Sequence, residues 1–590
     1  MPRQASPGFQ CTYPPNWESC NNANDRKCWV KDPSGKVYDI KTDYEDNVPE
    51  GIERPYNIDI TQESISPDGT VKPLAQLING KYPGKLIEAC WGDTLVVNVR
   101  NQLPTNGTTI HWHGLRLLHQ NEQDGVNGVT QCPIAENDTF QYKFKLTQYG
   151  HTWYHSHYSS QYSDGVAAPL LIHGPNSDEW DEEWTPIIVA DWFHASAYHA
   201  FADTLRGVVP PADSILVNGT GRYYNPNGTV TGQLFQQSFE PGKKYLIRLI
   251  NGGTDFHFHF SIDNHKLKVV SGDFVPVTPY EVDSLSIGIG QRYSVIVEAK
   301  PTTASSNNKY WVRTEYTTAG GCNFAVPNVP ADNLDRQRTG IISYTDAGAG
   351  DPTSTRHGDT IGCVDLSSQL SPIVEWTVSD PLNEAEIAQD THDAGLDLVT
   401  AGRLNALRWE LADTPLWLNF SDPTILNLDN STWNPEYAIQ DYDYSNNEQF
   451  VYMVVNSGST NPREKVGGHH PIHLHGHDFA IVAQGAGRYA HGTTVLNKTN
   501  PMRRDVAMLP AGGHLVLAFK PDNPGVWIMH CHIAWHAGSG LALQVVERQG
   551  QIESTIGPLA PVRDGCNAWD SWMAANPDKF NYGMQEDSGV

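Results

Sequence analysis

Thirteen of the chain's 24 histidines fall in four short segments. They are His111-Trp-His113, His151-Thr-Trp-Tyr-His155-Ser-His157, His469-His470-Pro-Ile-His473-Leu-His475-Gly-His477 and His530-Cys531-His532-Ile-Ala-Trp-His536. Imidazole is the commonest nitrogen ligand of zinc, copper, iron and nickel. Alternate residues of a strand face the same side, so a His-x-His pair on a strand presents both rings to one site. Four such pairs occur: His111/His113, His155/His157, His473/His475 and His530/His532. Eight imidazoles on four strands can converge on one multinuclear centre. Cys531 points the other way from its two neighbours. With His470 and His536 it makes a His2Cys set, the blue-copper arrangement. One His-x-His pair would be ordinary surface chemistry, and structural zinc closes four ligands in one local motif. Four pairs and a cysteine fit neither.

The elements that must position these residues read as strands. Thr94–Val99, Lys244–Ile250, Tyr293–Val297, Gln449–Val455 and His514–Phe519 are short alternating or β-branched runs bounded by Gly, Pro, Asn or Asp. That pattern predicts antiparallel sandwiches rather than βαβ units. A turn-then-strand echo recurs at Trp91, Pro241 and Gly512, which supports internal repetition. Short helices are expected near Leu382–Asp390 and at the C-terminal end. Pro169–Pro175 reads as the last strand of a first domain. Acidic Asp178–Trp184 and turn-rich Thr345–Asp359 read as linkers. The expected units are 1–175 with an N-terminal arm, 176–360, 361–560, and a tail over 561–590.

With 590 residues, three or four domains are expected. A net charge of −27 repels phosphate backbones, which argues against nucleic acid as a partner. No apolar run is long enough to span a bilayer, so no membrane association is expected. The opening MPRQASPGFQ has no basic segment followed by an apolar core. Nine cysteines point to an oxidising compartment, and seven sequons (Asn106, Asn137, Asn218, Asn227, Asn419, Asn430 and Asn497) point the same way. The expectation is a secreted chain whose leader has been removed.

The four histidine segments resemble the signatures of the three-domain multicopper oxidases, most closely those of ascomycete fungal laccases. The likeness extends to Tyr38-Asp-Ile-Lys-Thr-Asp-Tyr-Glu45 and Asp124-Gly-Val-Asn-Gly-Val-Thr-Gln-Cys-Pro-Ile134 and covers nearly the whole chain. It implies an all-β fold of three consecutive cupredoxin-like Greek-key β-sandwich domains, and four copper ions. His470, Cys531 and His536 would hold the type 1 copper, and His111 and His473 the type 2 copper. His113, His155 and His532 would hold one type 3 copper; His157, His475 and His530 would hold the other. His151, His469 and His477 fit no ligand position. The implied activity is one-electron oxidation of phenols and aromatic amines coupled to four-electron reduction of dioxygen to water, by a monomer. Fe(II), Cu(I), ascorbate and bilirubin are alternative donors, although the 7 methionines form no cluster of the kind Cu(I) oxidases carry. A non-catalytic copper protein would need only the His2Cys set.

The same resemblance assigns further residues. Leu541, ten residues after Cys531, takes the axial type 1 position, where the loss of a thioether donor raises the potential. Asp124 would deliver protons near the type 2 copper. Asp255 would accept the phenolic proton. Setting Cys531 aside leaves an even number of cysteines. The implied pairs are Cys20–Cys28, Cys132–Cys566 and Cys322–Cys363, with Cys11–Cys90 as an additional staple. The terminal Asp587-Ser588-Gly589-Val590 would plug the channel to the trinuclear site, with Val in place of the family's usual Leu.

Overall fold

In a computed structural model of the chain, residues 9–590 are described except for 317–320, 324–336, 359–361, 364–367, 382–390, 402–403, 413, 430–431, 443–448, 458–467, 581–584 and 586. The helix expected over Leu382–Asp390 lies outside the described residues. The expected strands form with bounds shifted by a residue or two: Thr94–Asn101, Lys244–Asn251, Arg292–Glu298, Val451–Ser457 and Gly513–Phe519.

The fold is all-β, built as successive cupredoxin-like sandwiches. The first pairs two four-stranded sheets. One contains Lys72–Ile78, Glu53–Ile65, Thr94–Asn101 and Thr139–Lys145. The other contains Ile87–Cys90, Ala167–His173, Gly150–Ser156 and Ile110–Trp112. The second sandwich pairs a nine-stranded with a five-stranded sheet, and the third a six-stranded with a five-stranded sheet. In Thr139–Lys145 burial alternates strictly, with Phe140, Tyr142 and Phe144 inward and Thr139, Gln141, Lys143 and Lys145 outward. One face is wet and the other packs on the core, as expected of an antiparallel outer strand. Gly525–Cys531 is buried at every position, so both of its faces meet protein, and it carries His530 and Cys531.

Helices are few. Ala560–Ala575 is the expected C-terminal one. Ala197–Thr204 and Ala534–Gly538 were not legible from periodicity, because each is only a turn or two long. Among the described residues no helix is long and apolar enough to cross a membrane. The acidic stretch expected as a linker is pinned along the second sandwich: Glu182–Glu183 pairs in parallel with Tyr245–Leu246. Its charges meet Lys243, Arg248 and Lys268.

The three disulfides expected from the resemblance, Cys20–Cys28, Cys132–Cys566 and Cys322–Cys363, are present, and so is the additional staple Cys11–Cys90. Cys132–Cys566 ties the first sandwich to the C-terminal helix. The Tyr38–Glu45 segment locks the first and third sandwiches together. Tyr44 Oη donates to Asp478 Oδ2 at 2.7 Å, while Glu45 lies 3.3 Å from both Arg116 Nη1 and Lys520 Nζ.

Candidate metal centre

The histidine pairs sit on adjacent antiparallel strands in two separate sheets. In the first sandwich Ile110–Trp112 pairs with Gly150–Ser156, putting His111 opposite His155. In the third, His470–Leu474 pairs with Gly525–Cys531, putting His473 opposite His530 and Ile472 opposite Cys531. The two histidine faces meet across the seam. His111 stacks on His475 with ring centroids 3.8 Å apart, and His113 stacks on His473 at 4.1 Å. All eight rings are at most 4% exposed. Gly476 makes the turn between His475 and His477 at φ +75°, and a Cβ there would lie 2.5 Å from the Trp527 ring. Glycine is required both by that angle and by that contact.

Five of the eight rings are anchored by Nδ1 and offer Nε2. His111 Nδ1 donates to the Asp124 carbonyl at 2.9 Å, His155 Nδ1 to the Ser156 carbonyl at 3.0 Å, and His530 Nδ1 to the Cys531 carbonyl at 2.9 Å. His473 Nδ1 donates to the Asp505 carbonyl at 2.7 Å, and His475 Nδ1 to Asp124 Oδ2 at 2.9 Å. Such bonds fix the tautomer and turn the opposite lone pair inward. His111 Nε2, His155 Nε2, His157 Nδ1, His473 Nε2 and His532 Nδ1 are buried with no hydrogen-bond partner. His475 Nε2 and His530 Nε2 face each other at 3.3 Å. Because both rings donate through Nδ1, both facing nitrogens carry lone pairs, which is stable only against a cation.

Protons cannot supply that cation. Burial, and then the neighbouring imidazoles, hold His113, His157, His473 and His475 well below the usual histidine range. Burial lowers His530 to about 4. Neutral buried imidazoles at this density could hold metal ions. Ligand atoms lie within 4.8 Å of one another in the groups His157/His475/His530, His111/His473/His475 and His111/His113/His155. His113 also approaches His532, with Nδ1 and Nε2 3.2 Å apart.

A second cluster lies within the third sandwich alone. Cys531 Sγ is 3.7 Å from His470 Nδ1 and 3.7 Å from His536 Nδ1. His536 comes from the short helix Ala534–Gly538 that follows the strand. Burial pushes the Cys531 thiol far up, so a thiolate here needs a bound cation. Leu541 is buried, and its carbonyl accepts the Cys531 N–H at 3.0 Å. Its side chain has no donor atom. Trp409 stacks on His536 with centroids 3.8 Å apart.

The two carboxylates differ. Asp124 is buried between the sheets, and its main chain and side chain orient His111 and His475. Asp255 is buried too, but neither carboxyl oxygen has a hydrogen-bond partner. Burial, and then nearby Asp191, push its pKa well above the usual carboxylate range. Its amide donates to Asp191 Oδ2 at 2.9 Å.

The other three histidines of the segments stand outside these clusters. His151 bonds the Leu249 carbonyl across the seam with the second sandwich. His469 accepts through its carbonyl from His257. His477 bonds Glu547 at 2.8 Å and the His475 carbonyl at 2.9 Å. Ser588 is held on Ala537 and Gly538, and Asn127 Nδ2 donates to the Gly589 carbonyl at 2.7 Å. Val590 lines a cavity of about 20 Å³ with His155, His157, His530 and His532. Trp409, Asp505 and Glu547 were missed from sequence. Trp409 carries no spacing signal, and neither acid belongs to a motif that marks it out.

Profiles described as multicopper oxidase match residues 59–177, 183–335 and 412–551. The chain is a multicopper oxidase. Its relatives include a laccase of Arthroderma benhamiae, 40% identical over 99% of this oxidase and 92% of that chain. They also include the dihydrogeodin oxidase of Aspergillus terreus, 36% identical over 97% and 95%. The crystal structure of a laccase from Botrytis aclada superposes with a TM-score of 0.85 at 38% identity, covering 97% of this oxidase and 100% of that chain. This oxidase is accordingly a copper oxidoreductase.

Proposed function

We propose that this oxidase is a secreted laccase that oxidises phenols and aromatic amines one electron at a time and reduces dioxygen to water. Four coppers would be held as one type 1 ion on His470, Cys531 and His536, one type 2 ion on His111 and His473, and a type 3 pair. His113, His155 and His532 would take one ion of the pair, and His157, His475 and His530 the other. The observation that carries the reading is the opposed lone pairs of His475 and His530 lying one peptide from the buried thiol Cys531. When bound, copper supplies the one-electron redox chemistry that links donor oxidation to oxygen reduction.

The protein groups supply the rest. Cys531 and its neighbours His530 and His532 join the two centres through a few covalent bonds. Trp409 covers His536 on one side, leaving a flat aromatic surface against which an aromatic donor can stack. Asp124 keeps His111 and His475 oriented and is a carboxylate placed beside the trinuclear site for proton delivery. Asp255 accepts the phenolic proton, and does so only when ionised. Leu541 would offer a copper held at Cys531 no donor atom, and the Asp587–Val590 tail shuts the trinuclear side from solvent. Four disulfides suit an oxidising compartment, and the exposed sequon asparagines Asn137, Asn227, Asn419 and Asn497 suit glycosylation.

The test is an oxygen electrode with a phenol, Fe(II) and ascorbate as donors, on protein of measured copper content. Phenol-dependent oxygen uptake without peroxide release is expected. Uptake with Fe(II) alone would replace the laccase reading with a metallo-oxidase.

A further inference from the structure

We propose that Asp505 is a positioning residue through which the middle sandwich, which supplies no proposed ligand, holds the trinuclear site in register. Asp505 touches two proposed ligands at once. Its main-chain carbonyl accepts from His473 Nδ1 at 2.7 Å, and its Oδ1 lies 3.2 Å from His113 Nε2. The contact is one of charge rather than an aligned hydrogen bond, and a carboxylate beside Nε2 favours a proton on that nitrogen, which leaves the Nδ1 lone pair of His113 facing His532. One residue thereby orients a ligand of the type 2 copper and a ligand of a type 3 copper.

The carboxylate is itself held from the second sandwich. Arg292 grips it with a two-pronged fork, Nη1 to Oδ1 at 2.5 Å and Nη2 to Oδ2 at 2.6 Å. The main-chain N–H of Arg292 donates to Asp273 Oδ1 at 2.9 Å, and Arg504 forks Asp273 at 2.9 and 3.0 Å. All four side chains are fully buried. Two guanidinium and two carboxylate charges balance, as a dry site demands. Gly114, which closes the His111-Trp-His-Gly segment, packs against this pair. A Cβ there would lie 2.4 Å from Asp505 Oδ2 and 2.5 Å from Arg292 Nη2, so that glycine is explained by the clamp.

This inference rests on the copper-ligand reading above, and the experiment separates the two. Asp505→Asn removes the charge at nearly constant shape. Arg292→Lys keeps the charge but loses the planar fork, which guards against a variant that merely fails to fold. Copper is withdrawn from the holoenzyme with a graded chelator, following the blue absorption of the Cys531 site, the type 2 electron paramagnetic resonance signal and copper per chain. In both variants the histidine-bound coppers should leave at about 10- to 100-fold lower chelator strength, with an altered type 2 signal and an unchanged blue band. Unchanged release of the histidine-bound coppers would overturn the proposal. Parallel loss of the blue band would overturn it too, because the cluster would then serve the fold rather than the site. If wild-type protein held no copper beyond the Cys531 site, the ligand reading itself would fall.

Discussion

The two candidate metal clusters are built differently. The Cys531 cluster belongs to one sandwich: His470 and Cys531 lie on strands of one sheet, and His536 follows on the next turn. The eight-histidine cluster belongs to a seam, with four rings from the first sandwich and four from the third. The first needs only local folding. The second needs two sandwiches docked to within a fraction of an ångström, and the structure surrounds it with docking devices: Asp124, Tyr44–Asp478, Cys132–Cys566 and the Arg292–Asp505 clamp. Damage at the seam should therefore strip the histidine cluster while the blue site survives. Damage at Cys531 should do the reverse.

Cys531→Ser is the sharpest way to break this comparison. Blue colour and phenol oxidation should both vanish, while the histidine-bound coppers largely remain by metal analysis. Loss of all copper would mean that the clusters are not independent.

Asp255→Asn should have the next largest effect. Phenol kcat/KM should fall by up to about 10²-fold, the lower end of general-base effects. A donor that loses only an electron should be much less affected. Burial and Asp191 raise the Asp255 pKa, and a base must be ionised to work. Phenol turnover should therefore rise with pH along a limb displaced above the usual carboxylate range, and that limb should disappear in the Asn variant. Rate profiles for both donors across pH provide the check, and equal losses for the two would remove the proton-acceptor role.

Leu541→Met should act least. A weak thioether donor would lower the potential of the blue site and leave copper content unchanged. Redox titration of the blue band measures this, and a rise would show that Leu541 does not face the metal.

The grouping of the histidines was legible because a strand's period of two makes His-x-His a geometric statement. The sandwiches were legible in alternations such as Thr94–Val99, which forms as Thr94–Asn101. The clamp was not. Arg292 and Asp505 are separated by 213 residues, and Arg and Asp are common enough that neither marks a contact from its own segment. Trp409 is equally silent in sequence, since its role exists only once it lies on His536. Asp255 read as a loop acid beside a phenol. Its burial, with two unpartnered oxygens and Asp191 alongside, comes from chain packing that no local pattern encodes.

Anomalous diffraction at the copper edge, from crystals of the holoenzyme, tests the central claim most directly. One copper should lie against Cys531, His470 and His536, and three among the eight histidines at the seam of the first and third sandwiches. A seam without copper, or copper bound away from these eleven residues, would contradict the account.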